Sequence, residues 1–258
     1  MLIMSERVTL ADRLHWDELD ASDFVYAESR PLEQMAQFAM RSIAEFREAG
    51  PCYLGISWGK DSVVVAHLVA MMGIDIPCVY FVHSPRDNPD CNRVRDAFLS
   101  EYSIDYSERV VDPRQAGDTS TKRKRYARWE AEAGLPDRRI TGIRADESPI
   151  REISAWTHGI STEVTCRPIL RWSTPEVFAY LASRYLPVHP AYAQSRGGLM
   201  DRNWLRVAPL GGKEGTGHGR SDWEREYYGD VLNRIAAGLT GKPNGERTHE
   251  GNSLRVRL

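Results

Sequence analysis

The feature that most constrains this chain is a five-residue apolar run, residues 52–56 (CYLGI), which breaks into Ser57-Trp58-Gly59-Lys60-Asp61-Ser62 and resumes as a ten-residue apolar stretch, residues 63–72, closed by Gly73. A short apolar run bounded by turn residues reads as a buried strand, and an apolar segment with few polar faces reads as a helix packed on a sheet. A second apolar run, residues 76–82, completes a βαβ unit. The alternation continues with predicted helices over 90–101 and 119–133 and predicted strands over 106–111, 139–143 and 163–170. A helix begins after the cap Ser173 with Pro175 in its first turn, an amphipathic helix over 32–46 precedes the βαβ unit, and a last helix covers 221–237. Such alternation predicts an α/β fold, an open and mostly parallel twisted sheet with helices on both faces. Three regions follow: an N-terminal extension (1–30), an α/β domain (31–192), and a smaller Gly/Pro-rich C-terminal region (193–258).

The hexapeptide at 57–62 lies where a strand hands over to a helix, the place in an open α/β sheet where ligands bind. Gly59 allows close backbone approach, and the first free amides of the following helix, with its dipole, favour an anion. Lys60 adds a full charge, and the hydroxyls of Ser57 and Ser62 add donors. The loop is not a Walker loop, because Gly55 and Gly59 are separated by three residues and Asp61 follows the lysine. The alternative reading of these six residues alone is a glycine turn with a surface lysine.

Composition excludes several classes. No apolar stretch approaches the roughly 20 residues that span a bilayer, and the first ten residues, with Glu6 and Arg7, lack a secretory apolar region, so a cytoplasmic location is expected. The four cysteines, Cys52, Cys78, Cys91 and Cys166, form no C-x-x-C pair and suggest neither zinc nor disulfides. The net charge of −2 hides local segregation. Lys122, Arg123, Lys124, Arg125 and Arg128, interleaved with Tyr126 and Trp129, form a basic helix that suits a nucleic-acid backbone or is a solvated surface. Arg206, Lys213, His218 and Arg220 form a second cationic segment.

Residues 57–62 resemble the S-G-G-K-D-S loop of the N-type ATP pyrophosphatases, with Trp58 in place of the first glycine. Gly142-Ile143-Arg144-Ala145-Asp146-Glu147-Ser148 with Arg151, then Arg167-Pro168-Ile169 and Trp172, resemble the PAPS reductase-like group, as does Leu186-Pro187-Val188-His189-Pro190-Ala191-Tyr192. The resemblance implies an adenine nucleotide α-hydrolase-like fold with ATP and Mg2+ as cofactors. It places Ser57 to Ser62, His83, Gly142, Arg144 and Arg151 at the nucleotide, with Gly142 under the adenine and both arginines facing oxyanions. An i,i+4 ion pair with Glu147 is the other reading of Arg151. Asp61, with Asp87 nearby, is the candidate carboxylate for Mg2+, and the helix dipole alone also explains Asp61.

The reductases of this group carry a cysteine in a C-terminal E-C-G-L-H stretch, and this chain has no cysteine after Cys166. The chemistry expected is attack of an oxyanion on the α phosphate with release of pyrophosphate, helped by Lys60, Asp61 and Arg144. The acceptor expected first is the backbone phosphate of DNA in a phosphorothioate modification system, with a cysteine desulfurase as sulfur donor and other modification subunits as partners. Adenylation of a small oxyanion such as sulfate, or a non-catalytic scaffold in which Trp58 blocks phosphate placement, are the alternatives. Cys91 at a helix start and Cys166 beside Arg167 are expected to have thiolate character, and one of the two to accept sulfur if it passes through the protein, whereas Cys52 and Cys78 are expected to stay protonated in the core.

Overall fold

The computed structural model describes residues 1–111, 122–207, 209–211 and 219–237. Five strands, β1 (Tyr53–Ile56), β2 (Cys78–His83), β3 (Tyr106–Val111), β4 (Arg139–Ile140) and β5 (Thr165–Cys166), form one sheet in the order β3-β2-β1-β4-β5. Every pairing is parallel, with Leu54 opposite both Cys78 and Ile140. The chain runs from β1 outward to β3 and then returns to the other side of β1, so the order reverses between β1 and β4. In open α/β sheets ligands bind in that crevice, beyond the carboxyl ends of the strands.

Among the described residues the α-helices are α1 (Leu10–Glu28), α2 (Leu32–Glu48), α3 (Lys60–Met72), α4 (Asp90–Glu101), α5 (Lys122–Glu132), α6 (Pro149–His158), α7 (Thr174–Ser183) and α8 (Arg220–Ala236). Side chains alternate along β2: Cys78 and Tyr80 join the large core with α2, α3 and α7, while Val79 and Phe81 join Tyr53, Val111 and Trp129 of α5 on the opposite face. Helices therefore cover both faces, as the alternating pattern requires. Nine α3 residues are buried, Lys60 and Ser62 among them, which explains its nearly continuous apolar sequence. Gly73 ends it in the left-handed conformation (φ 61°) that glycine adopts without Cβ strain.

Two expected strands are shorter than their apolar runs. β4 stops at Ile140 because the chain then passes against the first turn of α3: a Cβ on Gly142 would lie 2.8 Å from the Asp61 carbonyl carbon. β5 stops at Cys166 because Arg167 and Leu170 turn away, the Leu170 amide donating to the Arg167 carbonyl. Residues 10–28 form α1 and pack on α7 through Trp16, whose ring meets Phe178 edge-on at 6.1 Å. The buried Asp12 carboxylate accepts from the amides of Ser195 and Gly197 and from the Tyr227 hydroxyl, tying α1 to the C-terminal region. Among the described residues no helix is long and apolar enough to cross a membrane.

Candidate active site

The β1–α3 turn builds the site. Gly59 caps α3 in an extended conformation (φ −81°), and the Val63 amide makes the helix's first backbone bond, to the Gly59 carbonyl. The amides of Lys60, Asp61 and Ser62 therefore have no carbonyl partner within the helix and lie at its positive end. Ser62 Oγ closes the loop on itself, donating to the Gly59 carbonyl at 3.0 Å and accepting from the Ser57 amide at 3.2 Å.

Trp58 has φ 56°, in the left-handed region, so this position does require the conformation that glycine adopts freely. Its indole is fully buried, packs against Phe98 (5.8 Å) and Tyr106 (5.4 Å), and donates Nε1–H to the Tyr106 hydroxyl at 3.2 Å. Burial of the large aromatic offsets the backbone strain. Held there, the indole does not obstruct the solvent-facing side of the loop.

Arg144 differs from its expected role. It is 1% exposed, and its guanidinium donates to Asp61 (Nε, 2.6 Å), Asp146, the Trp172 carbonyl (3.1 Å) and Thr174 Oγ1 (2.9 Å). With four donors engaged inside the protein, Arg144 fixes the loop rather than presenting a fork to an oxyanion. Asp146 in turn accepts from the Thr174 amide at the start of α7. Asp61 receives Arg144 on one oxygen and Lys60 Nζ, at 2.7 Å, on the other. Burial works to raise this carboxyl, but Lys60 and Arg144 outweigh it and hold it below the ordinary carboxylate range. Burial likewise pulls the Lys60 ammonium down, with Asp61 opposing.

A resident Mg2+ does not fit these residues. Both Asp61 oxygens are bound to cations, and Asp87 uses one oxygen for the Tyr80 hydroxyl (2.6 Å) and the His83 amide (3.4 Å). Burial raises the Asp87 carboxyl to about 6. No group of three or more His, Cys, Asp or Glu able to hold a metal occurs among the described residues.

Gly142 sits against the Asp61–Ser62 backbone, so strand-to-helix packing is sufficient to explain its missing side chain. Arg151 donates to Glu147, the i,i+4 pair that was the alternative reading of this residue. Arg206 reaches the Glu147 carbonyl at 3.5 Å, bringing a second guanidinium beside Arg151. His83 packs among Tyr126 and Trp129 of α5 on the opposite sheet face. Those two aromatics face inward, so they do not interleave with the basic side chains of α5 as a stacking platform. Arg220 is buried, bonded to Glu224 and to the Arg206 carbonyl, which removes it from the expected cationic segment. The side chains of Lys122, Arg123, Lys213 and His218 lie outside the described residues.

The expected division of the cysteines does not hold. All four are buried free thiols. Cys91 stands at the start of α4 beneath the loop, its Sγ 3.9 Å from the Ser57 carbonyl and 3.8 Å from His189 Nε2. Burial and the nearby Asp87 push its thiol up, overriding the helix dipole. Cys166 lies under α2 with Sγ 3.7 Å from the Ser42 carbonyl, and burial raises it to about 11. Arg167 turns to Ser154 and the Gly159 carbonyl, so it gives Cys166 no ion pair.

Motif reading named Asp146 and Tyr192 without giving either a role, and did not single out Thr174. Tyr192 ends the short 3-10 turn Pro190–Tyr192, and its hydroxyl accepts from the Lys60 amide at 3.2 Å. The proline-rich stretch was visible, but no spacing rule connects residue 192 to residue 60.

A search of curated proteins found no match. A sequence model described as the phosphoadenosine phosphosulfate reductase domain matches residues 51–217, which contain all five strands, the loop, Arg144 and Tyr192. With well over half of its length so matched, the chain belongs to the phosphoadenosine phosphosulfate reductase domain family, a family of enzymes that act on nucleotides in sulfur metabolism.

Proposed function

We propose that the chain is an ATP pyrophosphatase that splits ATP between the α and β phosphates and adenylates an oxyanion for sulfur transfer, with a DNA backbone phosphate as acceptor. The observation that supports this best is the non-Walker loop at residues 57–62, fixed at the switch point of the sheet by Arg144 and Asp61. The amides at the positive end of α3 and the Lys60 side of the loop suit the leaving pyrophosphate, and Arg151 and Arg206 suit an anion approaching the mouth.

In the reaction an acceptor oxygen forms a bond to the α phosphorus while the α–β bridging bond breaks and pyrophosphate departs. A sulfur nucleophile from a cysteine desulfurase or an equivalent donor then displaces AMP from the adenylated acceptor. With four buried cysteines, this chain is assigned the activation step, and catalysis rests on positioning and charge. Mg2+ enters with the nucleotide, and no step uses a resident metal.

A second reading, adenylation of a small oxyanion such as sulfate, is favoured by the inward packing of Tyr126 and Trp129 on the basic helix. The test is product analysis of Mg-ATP turnover with DNA, with sulfate, and with neither. AMP and pyrophosphate, stimulated by DNA and reduced about 100-fold or more by Lys60→Ala, are expected. ADP and orthophosphate would overturn the proposal, and stimulation by sulfate but not DNA would transfer it to the second reading.

A further inference from the structure

The turn that follows α7 holds the loop at both ends. His189 Nδ1 accepts from the Ala191 amide at 3.0 Å, which leaves the proton on Nε2, directed at Cys91 beneath the Ser57 carbonyl. Three residues on, the Tyr192 hydroxyl sits on the amide of Lys60, the first residue of α3. That amide lies at the positive end of the helix, where a phosphate oxygen would bind. The phenol is 3% exposed, its ring packs edge-on against Phe178 at 5.6 Å, and its face lies 5.4 Å from Lys60 Nζ. The fit over the loop is close: a Cβ at Gly59 would stand 3.1 Å from the Tyr192 oxygen and 3.7 Å from Val207. Two surface concavities, on α1 around Val25 and between Arg7 and Asp230, lie away from this point.

We propose that Tyr192 sets the affinity of the phosphate site by occupying the Lys60 amide with its hydroxyl, so that a bound phosphate takes this donor only by displacing the phenol. The inference rests on the reading of residues 57–62 as a pyrophosphate loop. A neutral hydroxyl on a backbone amide makes an ordinary hydrogen bond, whereas a multiply charged phosphate makes a charge-assisted one, so a polyphosphate wins the exchange. Its apparent affinity is reduced by the fraction of molecules in which the amide is covered.

The test is calorimetric titration of the full chain and its Tyr192→Phe variant with inorganic pyrophosphate, accompanied by tyrosine ultraviolet difference spectra. Phenylalanine keeps the ring against Phe178 and removes the competing oxygen. Binding about 3- to 10-fold tighter in Tyr192→Phe is expected, together with a tyrosine perturbation on binding that is present in the wild type and lost in the variant. Unchanged or weaker binding by a folded variant would overturn the proposal, weaker binding identifying the hydroxyl as a phosphate ligand instead. If the variant does not fold, a wild-type spectrum unaltered by bound pyrophosphate overturns it equally. Failure of both proteins to bind pyrophosphate or ATP would remove the loop reading itself.

Discussion

Replacing Trp58 by alanine and by glycine separates two costs that the native residue combines. Removing a fully buried indole costs about 3–5 kcal/mol in either variant, through lost burial and the cavity left between Phe98 and Tyr106. The hydrogen bond to Tyr106 is lost equally in both. The variants differ in the backbone: at φ 56° an alanine Cβ costs about 1–2 kcal/mol, which glycine avoids. Glycine gives back about 0.4–1 kcal/mol through the greater freedom of its unfolded chain. The glycine variant should therefore be the more stable of the two by about 0.5–1 kcal/mol, the reverse of their order in helices and strands. Urea unfolding followed by far-ultraviolet circular dichroism at low temperature measures this as a difference in midpoint at equal slope. An alanine variant as stable as the glycine variant, or more so, would refute the claim that residue 58 is strained and stabilised only by burial of its ring.

Gly142→Ala forces a Cβ to within 2.8 Å of the Asp61 backbone and is expected to cost about 1–3 kcal/mol and to weaken pyrophosphate binding, read by unfolding and titration. Burial lowers the His67 imidazole from 6.5 to about 4, beside the Tyr180 hydroxyl at 2.9 Å. A base depressed on folding contributes stability that is present above 6.5 and lost as pH falls through about 4. The stability difference between the wild type and His67→Gln should therefore shrink over that window in denaturation at several pH values, and a constant difference would contradict the assignment.

The βαβ unit was legible because its apolar runs are bounded by turn residues and buried almost throughout. α1 was not: of its three buried residues two are Asp12 and Asp23, which satisfy their carboxylates through partners at Ser195, Gly197 and Arg202, so no apolar periodicity marks it. α6 was hidden for the opposite reason, since Ile150, Ile153 and Trp156 face outward and Ala155 alone is buried. In the site, residue types told which groups can meet an anion but not which are already engaged. The link of Arg144 to Asp61 spans 83 positions, and that of Tyr192 to Lys60 spans 132. The cysteines show the same limit, because the local cue of a helix start at Cys91 cannot register how much apolar side chain is later packed over it.

The bonds of Arg144 also govern the order in which the site can be made. Its guanidinium joins residues near positions 61, 146 and 174, so a nascent or truncated chain that has completed only β1, α3 and β2 lacks the groups that hold the loop in shape. Closing such distant contacts is slow, because chain entropy is lost before the bonds are gained. The phosphate recognition proposed for the loop should thus emerge late, when α7 docks, and the smallest fragment able to retain it must extend through Thr174.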